Sequence, residues 1–75
     1  MKIFELRDGQ RARVTGFAEG DRGYRQKLIQ IGLRKGVVFT MLRKAPLGDP
    51  VELDCDGVLL SLRKGESNVV EVEAL

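Results

Sequence analysis

The sequence contains no histidine and no tryptophan, and its only cysteine is Cys55. Without histidine the chain lacks the commonest general base and the commonest zinc ligand, and no serine or cysteine nucleophile can be paired with histidine. A single cysteine allows no internal disulfide, so nothing in the sequence indicates an oxidising compartment. These absences predict a protein that is not an enzyme and acts by binding.

Long apolar runs and phosphate-binding glycine loops are also missing. No apolar stretch approaches the roughly 20 residues that cross a bilayer. The segment from Met1 to Phe4 has neither the basic region nor the apolar stretch of a signal peptide. None of the nine glycines stands in GxxxxGK or GxGxxG order. We therefore expect a cytoplasmic chain without direct membrane insertion, without a nucleotide site and without a cofactor.

The composition is that of one small globular domain. The chain has 75 residues, of which 43% are hydrophobic and 32% are charged, a balance that disfavours both disorder and a membrane span. Thirteen basic residues against eleven acidic ones give a net charge of +2. This excess is too small to indicate a nucleic-acid partner on its own.

Alternating apolar and polar residues predict five short strands, and one helical stripe lies after the first of them. The apolar positions of the strands are Ala12, Val14 and Gly16, then Val37, Phe39 and Met41, then Val51 and Leu53, then Val58, Leu60 and Leu62, and finally Val70, Val72 and Ala74. The stripe comprises Tyr24, Leu28 and Ile31, with Asp21 as its predicted N-cap, and with Gly32 and Leu33 as a Schellman-type end that packs on Leu28.

Turn residues separate the strands and predict how the chain reverses. The segment Ala45 to Pro50 has two prolines and cannot continue a strand, while Asp56 and Gly57 are typical of a tight hairpin. Arg63 to Asn68 is polar and is predicted as a turn. Five strands with one inserted helix predict a mainly β fold, either a strongly bent sheet or a partly open barrel whose first and last strands pair.

The one cluster with metal-ligating side chains is Asp54, Cys55 and Asp56, which offers two carboxylates and a thiol. Neighbouring side chains of an extended segment point to opposite faces, so three adjacent residues rarely converge on one ion. A hairpin turn explains the carboxylates, and Cys55 continues the inward alternation of Val51 and Leu53. We expect no metal site here and keep the three residues as weak candidates.

A nucleic-acid-binding barrel is the main alternative function, because small barrels often bind single strands on basic surfaces. Such sites usually add exposed aromatic side chains for stacking. Most of the aromatic residues here stand at predicted core positions, so we expect no nucleic-acid partner. The basic residues in question are Arg22, Arg25, Lys27, Arg34, Lys35, Arg43, Lys44, Arg63 and Lys64, and the aromatic ones are Phe4, Phe17, Tyr24 and Phe39.

Three segments in this order and spacing resemble the FeoA family: YRQKLIQIGLRKG from Tyr24 to Gly36, APLGDP from Ala45 to Pro50, and SLRK from Ser61 to Lys64. The resemblance covers nearly the whole chain, residues 1 to 75. It implies a small cytoplasmic SH3-like barrel that acts alongside FeoB, the membrane transporter for ferrous iron with a cytoplasmic GTPase domain. The resemblance also implies a role in transition metal homeostasis. It leaves open whether the chain is a GTPase regulator, an assembly factor or an iron-responsive element.

Similar domains occur at the C-terminus of iron-dependent repressors of the DtxR type, which keeps an iron-responsive or metal-binding role as a further alternative. No winged-helix segment stands before the barrel here, so a DNA-binding repressor is not implied. The chain is expected to be a monomer or a weak homo-oligomer.

For the partner-binding surface, the turn with Leu47, Gly48 and Asp49 is the first candidate, with Leu47 as an apolar anchor. The other possibility is that Leu47 folds back and caps the barrel. The helix around Tyr24 and Arg25 is the second candidate, because Tyr24 is amphipathic and Arg25 lies at an exposed phase. An arginine offered to a partner GTPase stabilises transition-state charge, and Arg25 is the most suitable donor of that kind.

Overall fold

The computed structural model describes residues 1–18 and 22–75. Its strands form one antiparallel sheet in the order β4-β3-β2-β1-β5. This confirms the mainly β fold with five strands and a short helix after the first of them. The strands are β1 (Arg11–Phe17), β2 (Val38–Lys44), β3 (Val51–Cys55), β4 (Val58–Leu62) and β5 (Val70–Ala74), and the helices are α1 (Arg22–Gln30) and α2 (Lys64–Ser67), preceded by a 3-10 turn at Ile3–Glu5.

Strand β1 lies inside the sheet and pairs with β2 on one side and with β5 on the other. The pairing of the first and last strands is the one predicted. The β1–β5 register shifts between Val14 and Gly16, and the β2–β3 register shifts between Met41 and Arg43. Such irregularities bend a strand and increase its twist, so the sheet curves around its own apolar face.

One apolar core fills the concave side of the sheet. The alternation predicted for β1, β2, β3 and β5 supplies most of it, and Leu28 and Leu33 add the contribution of α1 and its end. The predicted inward position of Val58 is wrong, since this side chain is 58% exposed. It is the first residue of β4, directly after the hairpin turn, whereas Leu60 and Leu62 farther along the strand are buried. The buried apolar residues are Ile3, Leu6, Ala12, Val14, Leu28, Leu33, Phe39, Met41, Val51, Leu53, Leu60, Leu62, Val70 and Val72.

The end of α1 has the predicted Schellman geometry. The amide of Leu33 donates to the Leu28 carbonyl at 2.9 Å, the amide of Gly32 donates to the Ile29 carbonyl at 3.2 Å, and Gly32 has a φ of +108°. Leu28 is fully buried, whereas Ile31 at the end of the predicted stripe is 36% exposed because the helix has already ended at Gln30. The predicted N-cap, Asp21, lies outside the described residues.

The polar segment Arg63 to Asn68, predicted as a turn, contains the one-turn helix α2. Two of its polar residues are buried, Glu66 at 4% exposure and Ser67 at 2%. Within residues 1–18 and 22–75, no helix has the length and apolar character needed to span a membrane.

Candidate functional site

The turn between β2 and β3 presents a leucine at its tip. The amide of Gly48 donates to the Ala45 carbonyl at 2.7 Å, and the amide of Ala45 donates to the Pro50 carbonyl at 3.0 Å. One of these hydrogen bonds closes the tip of the turn and the other closes its base. Leu47, at the tip, is 94% exposed. The alternative in which Leu47 folds back to cap the barrel is therefore wrong.

The acidic residue of the same turn connects it to α2. An Oδ1 atom of Asp49 accepts a hydrogen bond from the backbone amide of Lys64 at 3.0 Å. This amide opens α2 and has no partner inside the helix, so the carboxylate satisfies a donor that would otherwise remain free. The turn is thus held against the first residue of α2.

Helix α2 in turn packs against α1. A Cβ atom placed on Gly65 would lie 3.1 Å from the hydroxyl oxygen of Tyr24 and 3.2 Å from its Cε2, so the phenol ring rests against the backbone at Gly65. Tyr24 remains 39% exposed on its other side. Partial exposure agrees with the amphipathic character expected of Tyr24 from the sequence.

A buried carboxylate fixes the relative positions of the two helices. Glu66 accepts a hydrogen bond from the backbone amide of Arg63 at 2.8 Å and forms an ion pair with the ammonium group of Lys27 at 2.5 Å. The hydrogen bond from Lys27 and that from the Arg63 amide hold the pKa of Glu66 below its ordinary range. The carboxylate is therefore charged at neutral pH and links α1 to α2.

Arg25 is placed differently from Tyr24. Its guanidinium carbon lies 5.6 Å from the centre of the Phe17 ring at the end of β1, a cation–π arrangement. The side chain is exposed, as expected, and packs on the end of β1.

These contacts define one continuous surface, which we call the turn–helix surface: Leu47, Gly48 and Asp49 of the turn, Gly65 of α2 and Tyr24 of α1. Sequence reasoning proposed the turn and the helix as separate candidates and missed Gly65, which joins them. No sequence signal marked α2, because Arg63 is not an N-cap residue type. Phe4 was also missed: it is 50% exposed, and its carbonyl accepts from the ammonium group of Lys44 beside the turn.

The weak metal candidates lie at the opposite end of β3. Asp54, Cys55 and Asp56 line an open groove together with the segment that follows α1, including Ile31 and Arg34. An Oδ1 atom of Asp54 accepts from the amide of Gly57 at 2.8 Å and so supports the hairpin turn. Burial, with the nearby charges of Asp56 and Asp54, raises the pKa of the Cys55 thiol.

A thiol with a raised pKa stays protonated at neutral pH. Among the residues that the structure describes, no group of three or more Cys, Asp and Glu side chains is arranged to hold a metal ion. We expect the purified protein to bind Fe²⁺ no better than a generic acidic peptide. Anaerobic calorimetry at neutral pH measures this, and a stoichiometric site of micromolar affinity that disappears in Cys55→Ser would contradict it.

Two of the basic residues considered for a nucleic-acid surface form ion pairs with glutamates. Arg43 pairs with Glu52 at 2.9 Å, and Lys27 pairs with Glu66. The expectation that most aromatic residues occupy the core is wrong, since Phe39 alone of the four is fully buried. Phe4 lies in the terminal 3-10 turn and Tyr24 on the outer side of α1, two places where the sheet does not cover them.

Comparison with known proteins identifies the family. The family model for the FeoA domain matches residues 1–74. The solution structure of an FeoA protein from Chlorobium tepidum is 43% identical, with a TM-score of 0.88, and the match covers 100% of this chain and 70% of that one. The Stenotrophomonas maltophilia FeoA structure, solved in complex with zinc and described as a prokaryotic SH3 domain protein, is 25% identical with a TM-score of 0.82, over 97% and 89% of the two chains.

A curated relative extends the comparison to a much longer protein. The chain is 31% identical over its whole length to part of a fusion of Fe²⁺ transport protein A with the Fe²⁺ transporter FeoB from Porphyromonas gingivalis. The chain spans 9% of that fusion protein. There, an FeoA segment and a transporter belong to one polypeptide.

Proposed function

Because the chain belongs to the FeoA domain family, we propose that it is an accessory protein of ferrous iron transport that binds the cytoplasmic part of a FeoB-type transporter. Two observations support the proposal. The fusion protein carries both components in one polypeptide. The chain also has no histidine and a single cysteine, a composition that favours action by contact over chemistry of its own.

The exposure of Leu47 is the main reason for proposing that the transporter binds at the turn. A leucine that is 94% exposed contributes nothing to the core of its own domain. Pro46 and Pro50 restrict the backbone on both sides, and the turn is closed by hydrogen bonds, so little conformational entropy is lost when Leu47 enters a pocket. We propose Leu47 as the anchor of a small, transient interface.

The rest of the turn–helix surface supplies the rim of this interface. Tyr24 presents a partly exposed aromatic ring, a side-chain type that is enriched at protein contacts. Arg25 lies next to it in sequence but is engaged with Phe17. We therefore propose that any influence on GTP hydrolysis by the partner follows from binding through Leu47 and Tyr24, and assign Arg25 to the edge of the contact.

Leu47→Asp is expected to weaken binding to the cytoplasmic part of FeoB by about tenfold or more, because burial of a leucine side chain is worth about 1.5–3 kcal/mol. The measurement is a calorimetric titration, paired with thermal unfolding of the isolated variant. The melting temperature should hardly change, since the side chain is solvated in the free protein.

Leu59→Asp is the matched control, because Leu59 is another strongly exposed leucine, at 70%, but lies on β4. It should bind the transporter like the unmodified chain. Normal binding by Leu47→Asp would remove the turn from the interface, and unfolding of that variant would show that Leu47 supports the fold. Strongly salt-dependent binding to oligonucleotides would favour the nucleic-acid alternative instead.

A further inference from the structure

The two edge strands of the sheet, β5 and β4, differ in whether another segment of the chain pairs with their outer side. Strand β5 is covered by the N-terminal segment: Lys2 forms a bridge with Glu71, and the amide of Val72 donates to the Met1 carbonyl at 2.9 Å. At the other edge, β4 pairs with β3 and with no other strand of residues 1–18 and 22–75. The backbone of β4 therefore presents an open edge.

Strand β4 also lacks the features that usually protect an edge. Its sequence, VLLSL, has no charged residue and no proline, and its register with β3 runs through five consecutive pairs without a bulge. Val58 and Leu59 are 58% and 70% exposed. An uncharged, regular and apolar edge of this kind is a template for another strand.

The hairpin turn determines which backbone groups of β4 point outward. Asp56 and Gly57 both have positive φ, 53° and 85°, and form a two-residue turn that closes on the Cys55–Val58 pair. Hydrogen-bonded and non-hydrogen-bonded pairs alternate along an antiparallel ladder, so Leu60 also bonds to β3. The amides and carbonyls of Leu59 and Ser61 then face away from the sheet.

We propose that β4 pairs with β4 of a second copy of this chain, antiparallel and about a two-fold axis at Leu60. In this register Leu59 of each copy lies opposite Ser61 of the other, so all the outward backbone groups of the strand are matched. No other register within β4 matches both residues. The pairing extends the sheet from one copy into the next.

Charge at the ends of β4 favours the same partner. In the proposed antiparallel pairing, the end of one β4 that follows Asp56 and the hairpin turn lies beside the end of the other β4 that precedes Arg63 and Lys64. Residues of opposite charge are thus brought to each end of the two-fold interface, and the uncharged strands between them add no repulsion. A second copy thus satisfies both the hydrogen bonds and the charges of this edge.

Sedimentation velocity of the full chain over a range of concentrations tests the proposal. We expect reversible dimers, and we expect Leu59→Lys to raise the dimer dissociation constant by about tenfold or more, because a charge on an edge strand opposes pairing. Leu47→Lys is the matched control: an equally drastic change of an exposed leucine outside β4, expected to leave the dissociation constant unchanged. Both variants should melt like the unmodified chain, since both side chains are exposed.

Amide hydrogen exchange tests the register independently. The amides of Leu59 and Ser61 should exchange more slowly as the protein concentration rises, while the amide of Leu60, already bonded to β3, should not respond. A chain that stays monomeric at every concentration would overturn the proposal, as would a dimer insensitive to Leu59→Lys. So would protection of Leu59 and Ser61 that requires added FeoB and does not depend on the concentration of this chain.

Discussion

Glu66→Ala is expected to lower the free energy of unfolding by about 2–3 kcal/mol, because it removes the acceptor of a partly buried backbone hydrogen bond and an ion pair together. The amide of Arg63 would lose its partner, and Lys27 would lose its contact with α2. A cavity would also remain where a side chain at 4% exposure had been. Urea unfolding monitored by circular dichroism measures the change.

Glu66→Gln separates the two roles of this carboxylate. The amide oxygen of glutamine still accepts from the Arg63 backbone, so the loss should be about 1 kcal/mol and come mainly from the ion pair. A double-mutant cycle with Lys27→Met isolates that contribution, because Lys27 is itself well exposed. Equal losses for the alanine and glutamine variants would contradict the assigned role of the Arg63 amide.

The charge of Glu66 also predicts a pH dependence. Its pKa in the folded protein is lowered from the ordinary value of 4.5, chiefly by the hydrogen bond from Lys27. A lowered folded pKa means that the stabilisation is complete above about pH 4.5 and is lost as the pH falls through the folded value. The unmodified chain should thus lose more stability on acidification than Glu66→Gln. Glu71, whose pKa is lowered by Lys2, remains in both proteins and cancels from the comparison.

Local signals predicted most of the sheet because each of them depends on a few neighbouring residues. The Asp56–Gly57 turn, the positive φ at Gly32 and the alternation along β2 and β3 all follow from backbone preferences and from which face meets the core. The same reasoning failed for Val58, because the sequence period gives the face of the strand on which a residue lies and not how far the core extends toward the hairpin turn.

The candidate site depended on contacts between distant residues, and only part of it was predictable. The two prolines around Leu47 indicated a rigid turn, but its link to α1 passes through Asp49, Lys64 and Gly65. The segment KGES has a glycine and no N-cap residue before it, so no local preference favoured a helix there. Burial of Glu66 requires Lys27, thirty-nine positions away in the sequence, and could not be inferred from its own neighbours.

Leu28→Ala is expected to have the largest effect on stability of the changes considered, a loss of about 2–5 kcal/mol. Leu28 is the buried residue of α1, and the carbonyl of the same residue accepts the Leu33 amide that ends the helix. Truncating it leaves a cavity beneath α1, because Leu28 is the buried side chain that this helix adds to the core among the described residues. A domain of this size has little stability to lose, so much of the variant should be unfolded near body temperature.

Ile29→Ala provides the matched control for this prediction. It removes an aliphatic side chain of the same size from the next position of α1, where the residue is 38% exposed, and should change the free energy of unfolding by about 0.5 kcal/mol or less. Thermal unfolding gives the global comparison. Fluorescence of Tyr24, the only tyrosine in a chain without tryptophan, reports whether α1 leaves the sheet first. Leu28→Ala would prove no less stable than Ile29→Ala only if α1 is held by α2, through Tyr24 and Glu66, and not by the core. Such a result would contradict the prediction. In that case Leu28→Ala should still bind the transporter.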